Sequence, residues 1–327
     1  MRAAIYERTG NARDVLNVID LPRPEPGSGE VRIKLEWSGV NPSDVKTRGG
    51  ARTRILAFPR IIPHSDGAGV IDAVGTGIDA SRVGERVWIW NGAWGRPNGT
   101  AAEYITVPAI LAVRLPDNVG TDVGACLGIP ALTALHAVTV DGGVTGKSVL
   151  IAGGAGAVGH YAIQFARLHG AARILTTVSS PEKAAIALQA GADSAINYKA
   201  ENAESRVREL TADVGVDRVI EVNFGVNSRL DLQVLKPDGD IVVYGSDAMD
   251  FTLPFVPLII KNIRLRFFIV YNLDAATRVT LIDELTSLLA GNRLQHNISV
   301  RLPLERIAEA HDLVESGRSN GNVVVGL

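Results

Sequence analysis

The sequence contains one cysteine, few aromatic residues and no long apolar run, and each absence excludes a class of protein. Among its 327 residues Cys126 is the single cysteine, so a disulfide within the chain and any zinc site built from several cysteines are excluded. No apolar stretch approaches the roughly 18 residues that a membrane span requires. Aromatic residues make up 5% of the chain. The formal net charge is −2, and a balance this close to neutral gives no indication of binding to nucleic acid or to an acidic membrane.

The remaining composition is that of a soluble globular protein with room for two domains. Hydrophobic residues form 46% of the chain and charged residues 21%. The first residues, MRAAIYERTGNARD, carry several charges and lack the apolar core of a secretory signal. Together with the lone cysteine, which we expect to be buried as a small hydrophobic residue, this start favours a reduced, cytoplasmic location.

The pattern of the sequence changes near residue 120. Before this point, short runs such as VRIKLEWSGV and GERVWIW are bounded by turn residues and predict a compact β-rich region. From Ser148 to Tyr244, apolar strands alternate with helices, beginning with SVLIAGG and AVGHYAIQFARLHG. This alternation predicts an α/β protein with a doubly wound parallel sheet covered on both faces. After Phe251 the pattern predicts a strand in IRLRFFIVY, helices at about 275–290 and 304–316, and a closing strand, NVVVGL.

A glycine-rich turn lies between the first of these strands and its helix. Gly154, Gly156 and Gly159 of GGAGAVG follow the spacing G-x-G-x-x-G. The first glycine permits a tight turn, the second lets the backbone approach a pyrophosphate, and the third lets the helix pack on the strand. The helix N-terminus then offers N–H groups and a partial positive charge to phosphates. Within a full βαβ pattern, this spacing predicts a dinucleotide site rather than a plain packing turn.

The residues after the second strand favour NADPH over NADH. A site for NAD places a carboxylate about 20 residues beyond the glycines, where it binds the ribose 2′-hydroxyl. Here Ser179 and Ser180 of TTVSSPEK end the strand instead. Their hydroxyls can donate to a phosphate, and Lys183 adds positive charge nearby, unless this lysine is simply an exposed helix residue.

With these motifs in place, the sequence resembles a known family. GKSVLIAGGAGAVGHYAIQFAR is similar to the signature of the quinone oxidoreductase and zeta-crystallin branch of the zinc-free medium-chain dehydrogenase/reductase superfamily. One position departs, because Ala157 stands where that branch usually carries a glycine. SGVNPSD, GAGVIDAVG, VGERVW, GTAAEY, ALTALHAV and AHDLVESGRSNGNVVVGL follow the branch in order, so the resemblance covers the whole chain.

The resemblance implies both an architecture and an activity. It implies a GroES-like β-rich catalytic domain, made of residues 1–122 and 256–327, and a Rossmann domain at 123–255 that binds NADPH. Members reduce quinones or α,β-unsaturated carbonyls with NADPH and are commonly dimers or tetramers, and pairing through IRLRFFIVY would continue the sheet across a dimer. An NADPH:quinone reductase is therefore expected, with reduction of alkenals or enoyl thioesters as the alternative.

The resemblance also implies a set of site residues. Asn41 and Asp44 are expected near the nicotinamide, with Asn41 donating to a carbonyl oxygen and Asp44 orienting its neighbours, and Thr133 is expected close to the reacting ring. Lys46 replaces the tyrosine common in bacterial quinone reductases, and it is either a hydrogen-bond or proton donor or a solvated loop residue. The expected cofactor contacts are Gly154, Gly156, Ala157, Val158, Gly159, Ser179, Lys183, Tyr198, Asn223, Tyr244, Gly245, Phe268, Val270 and Asn322.

His64 bears on whether the chain can hold a catalytic zinc ion. Zinc-dependent alcohol dehydrogenases of the same superfamily carry a cysteine in the segment that here reads GVNPSD, and a His-Glu pair where this chain reads PHSDGAG. Aligned on GAG, the pair becomes Ser65-Asp66, His64 falls one residue early, and Asn41 or a near neighbour occupies the cysteine position. Catalytic zinc needs three protein ligands, so we expect a metal-free protein in which His64 is a loop residue.

Four arginines leave an alternative open. Arg48, Arg52, Arg54 and Arg60 crowd the segment after SGVNPSD and either steer an anionic substrate, such as a phosphorylated thioester, or form a solvated loop. Steering would favour the enoyl-thioester reductase. A zinc alcohol dehydrogenase and a non-enzymatic protein that binds NADPH are the remaining rival interpretations.

Overall fold

The computed structural model describes residues 1–51 and 53–327, and the chain divides into two compact units. The first unit comprises Met1–Pro130 and Glu284–Leu327, and the second comprises Ala131–Asp283. In chain order the strands are β1 (Arg2–Ile5), β2 (Asn17–Asp20), β3 (Glu30–Val40), β4 (Asp66–Val74), β5 (Arg86–Ile89), β6 (Tyr104–Pro108), β7 (Ala112–Arg114), β8 (Ser148–Ile151), β9 (Arg173–Val178), β10 (Ser194–Asn197), β11 (Val216–Glu221), β12 (Leu235–Val243), β13 (Arg264–Phe267), β14 (Ile298–Pro303) and β15 (Asn322–Gly326).

The helices occur in both units. They are α1 (Ala12–Val15), α2 (Pro42–Gly49), α3 (Thr121–Gly124), α4 (Leu132–Thr139), α5 (Ala157–Leu168), α6 (Pro181–Gln189), α7 (Ala203–Leu210), α8 (Phe224–Val234), α9 (Phe255–Ile260), α10 (Ala275–Ala290) and α11 (Ile307–Glu315). Within the described residues, none of them combines the length and apolar character needed to cross a bilayer.

The first unit is built on a largely antiparallel sheet. Its strands follow the order β14-β15-β3-β4-β5-β7, and β6 also pairs with β3. Apolar side chains on one face form a core that includes Val31, Ile33, Leu35, Ile71, Val87 and Ile105. Burial of this apolar surface stabilises the sheet. The predicted β-rich region is confirmed.

The two ends of the chain meet in this first unit. β15, near the C-terminus, pairs antiparallel with β3, so that Val323 lies opposite Val40. Apolar residues of α11, such as Ile307 and Ala310, pack with Ala3 and others of the N-terminal strand in one core cluster. The unit is therefore discontinuous in sequence and continuous in its core.

The second unit is a six-stranded parallel sheet with helices between its strands. The strand order is β10-β9-β8-β11-β12-β13. Numbered from β8, this is the order 3-2-1-4-5-6 of a doubly wound dinucleotide-binding fold, with the reversal of strand order between β8 and β11. Residues such as Leu150, Leu175, Val219 and Ile241 are buried in its core. The predicted α/β architecture is confirmed.

A buried ion pair joins β11 to β12. Arg218 is fully buried and donates from Nε and Nη2 to Asp240 at 2.5 and 3.1 Å. Its Nη1 also donates to the carbonyls of Ala137 and Val138 at 3.3 and 3.2 Å, at the end of α4. Removing one partner of a buried pair commonly costs about 3–5 kcal/mol, because the other charge is left in the interior. The pair therefore ties two central strands and a covering helix together.

The compact units end at different residues from the domains implied by the resemblance. β13 pairs in parallel with β12, from Arg264 opposite Asp240 to Phe267 opposite Val243, and so belongs to the second unit. The resemblance had implied that all of 256–327 lay in the discontinuous domain. At the other boundary the first unit continues to Pro130 rather than 122, because Ala125 and Cys126 pack against Val324. Cys126 is buried, as expected.

Candidate active site

The glycine motif lies in the turn between β8 and α5. Gly153 has φ +70°, in the left-handed region that favours glycine, and its amide N donates to Thr177 Oγ1 at 3.2 Å. A Cβ atom on Gly154 would lie 2.2 Å from Thr176 Oγ1, and one on Gly159 would lie 2.3 Å from Gly153 O. The tight turn is therefore made by Gly153 and not, as the motif predicts, by Gly154. Gly154 is required instead because β9 passes too close for a side chain.

Gly156 borders open space on the same turn. A Cβ atom here would meet Gly153 O at 3.2 Å and no other described atom within 4 Å. The first hydrogen bond of α5 runs from His160 N to Gly156 O at 3.0 Å, so the N–H groups of Ala157 and Val158 precede it. They lie at the positive end of a helix of 12 residues. This cradle fits the diphosphate of a dinucleotide.

Hydroxyl and amino groups lie at the ends of β9 and β10. Ser180 caps α6 by accepting a hydrogen bond from Lys183 N at 3.3 Å, which leaves Ser179 as the hydroxyl at the end of β9. Tyr198 follows β10, is 53% exposed, and donates from its amide N to the last carbonyl of β9 at 3.1 Å. The acid in the first turn of α6, Glu182, is exposed, and its hydrogen bond with Ser180 lowers its pKa. Ser179, Lys183 and Tyr198 thus follow the ends of the adjacent strands β9 and β10, without a carboxylate at the end of β9. Their expected role at the adenosine phosphate stays a prediction.

Asn223, Tyr244 and Gly245 follow the neighbouring strands β11 and β12. The Asn223 side chain donates to Asp247 Oδ2 at 2.8 Å and accepts from Asp247 N at 2.9 Å, which joins the two strand-end loops. The Gly245 carbonyl accepts from the first amide of α8 at 3.1 Å. These residues and the glycine turn follow parallel strands, so they lie at the same edge of the sheet. Ligands of doubly wound sheets bind at this edge, at the carboxyl ends of the strands.

Phe268 and Val270 follow β13 and lie beside α4. The ring of Phe268 packs edge-on against His136 of α4, with centroids 4.6 Å apart. The Val270 carbonyl accepts from Arg278 Nη2 at 2.5 Å. Thr133 lies one turn before His136 in α4 and is buried. These three predicted site residues therefore share one side of the second unit.

In the first unit, Asn41 and Asp44 lie at the start of α2. Asn41 is the N-cap, and its amide N donates to Asp44 Oδ2 at 2.8 Å. Asn41 Nδ2 donates to Asp66 Oδ2 at 2.9 Å, and the same oxygen accepts from Ile129 N at 3.0 Å. Burial raises the pKa of Asp66 well above its usual range, although the bond from Asn41 opposes the shift. Asp44 thus holds the backbone of Asn41, and the expected place of both residues near the nicotinamide stays a prediction. The sequence suggested Asp66 only as a weak metal ligand, not as the partner of Asn41.

Lys46 and Asn322 occupy different surroundings in the first unit. Lys46 is half-buried and lies within α2, not on the loop expected from sequence. Asn322 begins β15, whose register places it beside the strand end that leads into Asn41. Its Nδ2 donates to Asn297 O at 3.1 Å. The predicted roles of both residues remain predictions.

His64 is a buried loop residue within a chain of hydrogen bonds. It has φ +76° and is 1% exposed. Its Nδ1 is 2.8 Å from Ser38 Oγ, and its Nε2 is 2.9 Å from His311 Nε2. Ser38 Oγ is also 2.8 Å from Thr100 Oγ1, which donates to Asp66 O at 2.5 Å. Burial lowers the pKa of His64 to about 3, so this imidazole is neutral at physiological pH.

The donor and the acceptor of each hydrogen bond in this series follow from the number of protons that each group carries. Thr100 has one hydroxyl proton and gives it to the backbone carbonyl of Asp66, so Ser38 donates to Thr100. His64 Nδ1–H must then donate to Ser38, and His311 Nε2–H to His64. The two histidines therefore support the backbone at the residue that holds Asn41. Over residues 1–51 and 53–327, no three His, Cys, Asp or Glu side chains form a group that could hold a metal ion.

The arginines near α2 have separate surroundings. Arg48 is 1% exposed, donates to Glu315 Oε2 at 2.6 Å and also donates to the Gly10 carbonyl. It is therefore a structural residue that cannot steer a substrate. Arg54 lines a surface cavity of about 400 Å³ with Phe58, and Arg52 lies outside the described residues.

Comparison with known proteins assigns the family. Residues 157–287 match the zinc-binding dehydrogenase family, and residues 27–117 match the alcohol dehydrogenase GroES-like domain. Human quinone oxidoreductase is 32% identical over 311 residues, which are 94% of this chain and 92% of the relative. The chain belongs to the quinone oxidoreductase branch of the medium-chain dehydrogenase/reductase superfamily.

Solved structures agree with this membership. A mycobacterial protein in complex with NADPH has a TM-score of 0.88 and 30% identity, with both chains covered fully. An NAD-dependent alcohol dehydrogenase has a TM-score of 0.88 and 29% identity, also over the full length of both chains. The expected fold, GroES-like and Rossmann, is confirmed for this member of the quinone oxidoreductase branch, which is an oxidoreductase.

Two alanine substitutions separate the roles of the glycines. Gly156→Ala fits the backbone with little displacement, so we expect an unfolding free energy within about 0.5 kcal/mol of wild type but weaker dinucleotide binding, since the methyl group enters the phosphate cradle. Gly159→Ala collides with Gly153 O, and we expect a loss of about 2 kcal/mol. Urea unfolding and a fluorescence titration with NADPH measure both effects. Wild-type affinity in Gly156→Ala would contradict the assignment of the cradle.

Proposed function

We propose that the protein is an NADPH-dependent oxidoreductase that transfers hydride to a quinone. The observation that carries the cofactor assignment is the donor set of Ser179, Lys183 and Tyr198 at the ends of β9 and β10. The strand end bears hydroxyls where an NAD site bears a carboxylate, and this chemistry suits a 2′-phosphate. The similar mycobacterial protein in complex with NADPH and the human relative named quinone oxidoreductase support the proposal.

The second unit provides the residues that would hold the cofactor. The N–H groups of Ala157 and Val158, next to Gly156, bind the diphosphate, and Ser179 with Lys183 binds the 2′-phosphate. Tyr198 covers the adenosine side, while Asn223, Tyr244, Gly245, Phe268 and Val270 border the nicotinamide side. When bound, NADPH supplies the hydride.

The first unit contributes the donor for the acceptor molecule. Asn41 Nδ2 has two hydrogens, one of which is held by Asp66, so the other can donate to a carbonyl oxygen of the quinone. Asp44 fixes the backbone of Asn41, and Thr133 and Lys46 complete the proposed catalytic set. A quinone is already an electrophile, so positioning and one or two donors can carry most of the catalysis. Asn41 or a near neighbour stands where zinc-dependent relatives carry a cysteine, which fits this chemistry.

Reduction of alkenals or enoyl thioesters is the less favoured alternative. Its one supporting feature was the arginine group after SGVNPSD. Since Arg48 is buried and paired with Glu315, that group loses a member that could bind an anionic substrate. The quinone therefore remains the preferred acceptor.

We also propose that the protein is a cytoplasmic homodimer or homotetramer. β13 is the edge strand of the parallel sheet. The preceding helix α9 exposes Phe255, Val256 and Ile260, each by more than half. Exposed strand edges and contiguous apolar surface are features that assemblies commonly bury.

The direct test is oxidation of NADPH by the purified, chelator-treated protein with 1,4-naphthoquinone, beside a 2-alkenal. We expect turnover with the quinone, because the proposed mechanism requires no metal ion. Turnover with the alkenal alone would move the protein to the alternative class. NADPH binding without turnover on either acceptor would favour the non-enzymatic interpretation.

Ser179→Asp tests the cofactor preference. A carboxylate at this strand end repels the 2′-phosphate and can accept from a ribose 2′-hydroxyl, so we expect kcat/KM with NADPH to fall about 10- to 100-fold while the value with NADH rises. Ser180→Ala is the matched control. It removes the cap of α6, at a cost of about 1 kcal/mol of stability, and should leave the ratio of NADPH to NADH activity unchanged. An unchanged ratio in Ser179→Asp would argue against the assigned phosphate site.

A further inference from the structure

Two buried carboxyl groups lie beside the turn at residues 222–223, between β11 and α8, which we call the Asn223 turn. Glu221 ends β11 and Asp231 lies on α8, and each residue is 1% exposed. Glu221 Oε1 accepts from Asn227 Nδ2 at 3.0 Å and from the Asn223 amide N. The other oxygens, Glu221 Oε2 and Asp231 Oδ2, are buried and receive no N–H or hydroxyl donor from the described residues. The Asn223 turn thus rests on a carboxyl group whose second oxygen has no ordinary donor.

The two carboxyl groups lie close enough together that each shifts the pKa of the other. An ionised carboxylate only accepts, so a bond between two carboxyl groups requires a proton on one of them. In the described part of the chain, no lysine or arginine forms an ion pair with Glu221 or Asp231, so no cation replaces this proton. A single proton shared between the two carboxyl groups would give both orphaned oxygens a partner.

Burial raises the pKa of both groups. The negative charge of Glu221 and the hydrogen bond with it raise the pKa of Asp231 further. The phenol of Tyr244, which follows β12, is buried. This burial and the nearby charge of Glu221 both raise its pKa. The groups around the pair are thus Tyr244, the backbone N–H groups of Val222 and Asn223, and the side-chain amide of Asn227.

We propose that Glu221 and Asp231 share one proton and are positioning residues for the Asn223 turn, so that NADPH binding weakens when the proton is lost. The proposal rests on the proposed function, because it takes Asn223 to border the cofactor. The link is structural: Glu221 holds the Asn223 backbone, and Asp247 holds its side chain beside the end of β12.

The direction of the pH effect follows from the raised pKa values. The pair stabilises the folded turn while it holds its proton. This contribution is complete within and below the pH range in which carboxyl groups ordinarily titrate, and it is lost as pH rises through the raised pKa values of the pair. At pH above these pKa values both carboxyl groups are ionised, and the two like charges repel each other in a buried site and move apart. The 2′-phosphate is fully ionised above a pH of about 7, so its own charge does not change there. Because we propose that the pair still holds its proton at neutral pH, we expect NADPH affinity to fall on the alkaline side.

Asp231→Asn removes the titration while keeping the hydrogen bond. The amide donates to Glu221 Oε2 and has no proton to lose, so we expect wild-type affinity for NADPH at neutral pH and no alkaline decline. For the wild-type protein we expect a decline of roughly tenfold or more. Fluorescence titration of the full chain with NADPH, from neutral to alkaline pH, measures both. Asp213→Asn is the control, since this exposed residue with φ +63° accepts asparagine readily and should keep the wild-type decline.

Infrared spectroscopy tests the shared proton without the cofactor. At neutral pH we expect the C=O band of a protonated carboxylic acid in the difference spectrum of wild type minus Asp231→Asn, and no such band in that of wild type minus Asp213→Asn. Absence of the band, or a wild-type alkaline decline in Asp231→Asn, overturns the proposal. If the wild-type protein fails to bind NADPH at any pH, the proposed function fails, and the infrared band alone then decides whether the proton is shared.

Discussion

The close approach of the β8–α5 turn to β9 is the constraint on which the second unit depends. Gly154 lies against Thr176 and Gly159 against Gly153 O, at distances that leave no room for a Cβ atom. This packing directs the N-terminus of α5 toward the edge where the parallel strands end. The donors after β9 and the loops after β11 and β12 lie at that same edge, so a single steric condition brings the proposed phosphate and nicotinamide contacts together.

Local patterns predicted the second unit well because its strands and helices alternate at short spacing. The strand expected in SVLIAGG is β8, and the helix expected in AVGHYAIQFARLHG is α5. Outside that unit, the closing strand expected in NVVVGL is β15, and the helix expected at about 275–290 is α10. The first unit depends on a contact that no local pattern reveals, since β15 pairs with β3 from the far end of the chain. The resemblance to the family implied this discontinuity. It did not place β13, whose parallel pairing with β12 extends the second unit.

The sequence located the part of the candidate site that lies within one motif. It could not locate the parts that are formed by contacts between residues far apart in the chain. The glycine spacing located the turn but assigned the tight bend to Gly154, whereas Gly153 has the positive φ. The bond between Asn41 and Asp66 joins two motifs, SGVNPSD and PHSDGAG, whose pairing the sequence did not suggest. His64 and His311 are 247 positions apart. Glu221 and Asp231 look like ordinary strand-end and helix acids until their burial is known.

The central claim is direct transfer of hydride from NADPH to a quinone. The most direct measurement is a single-turnover reaction, followed by stopped-flow absorbance, between the protein loaded with NADPH and 1,4-naphthoquinone, repeated with NADPH carrying two deuterium atoms at C4. The account predicts that NADPH is consumed in one phase and that deuterium slows this phase. Consumption at the same rate with both isotopes, or no consumption by protein that has bound NADPH, would contradict it.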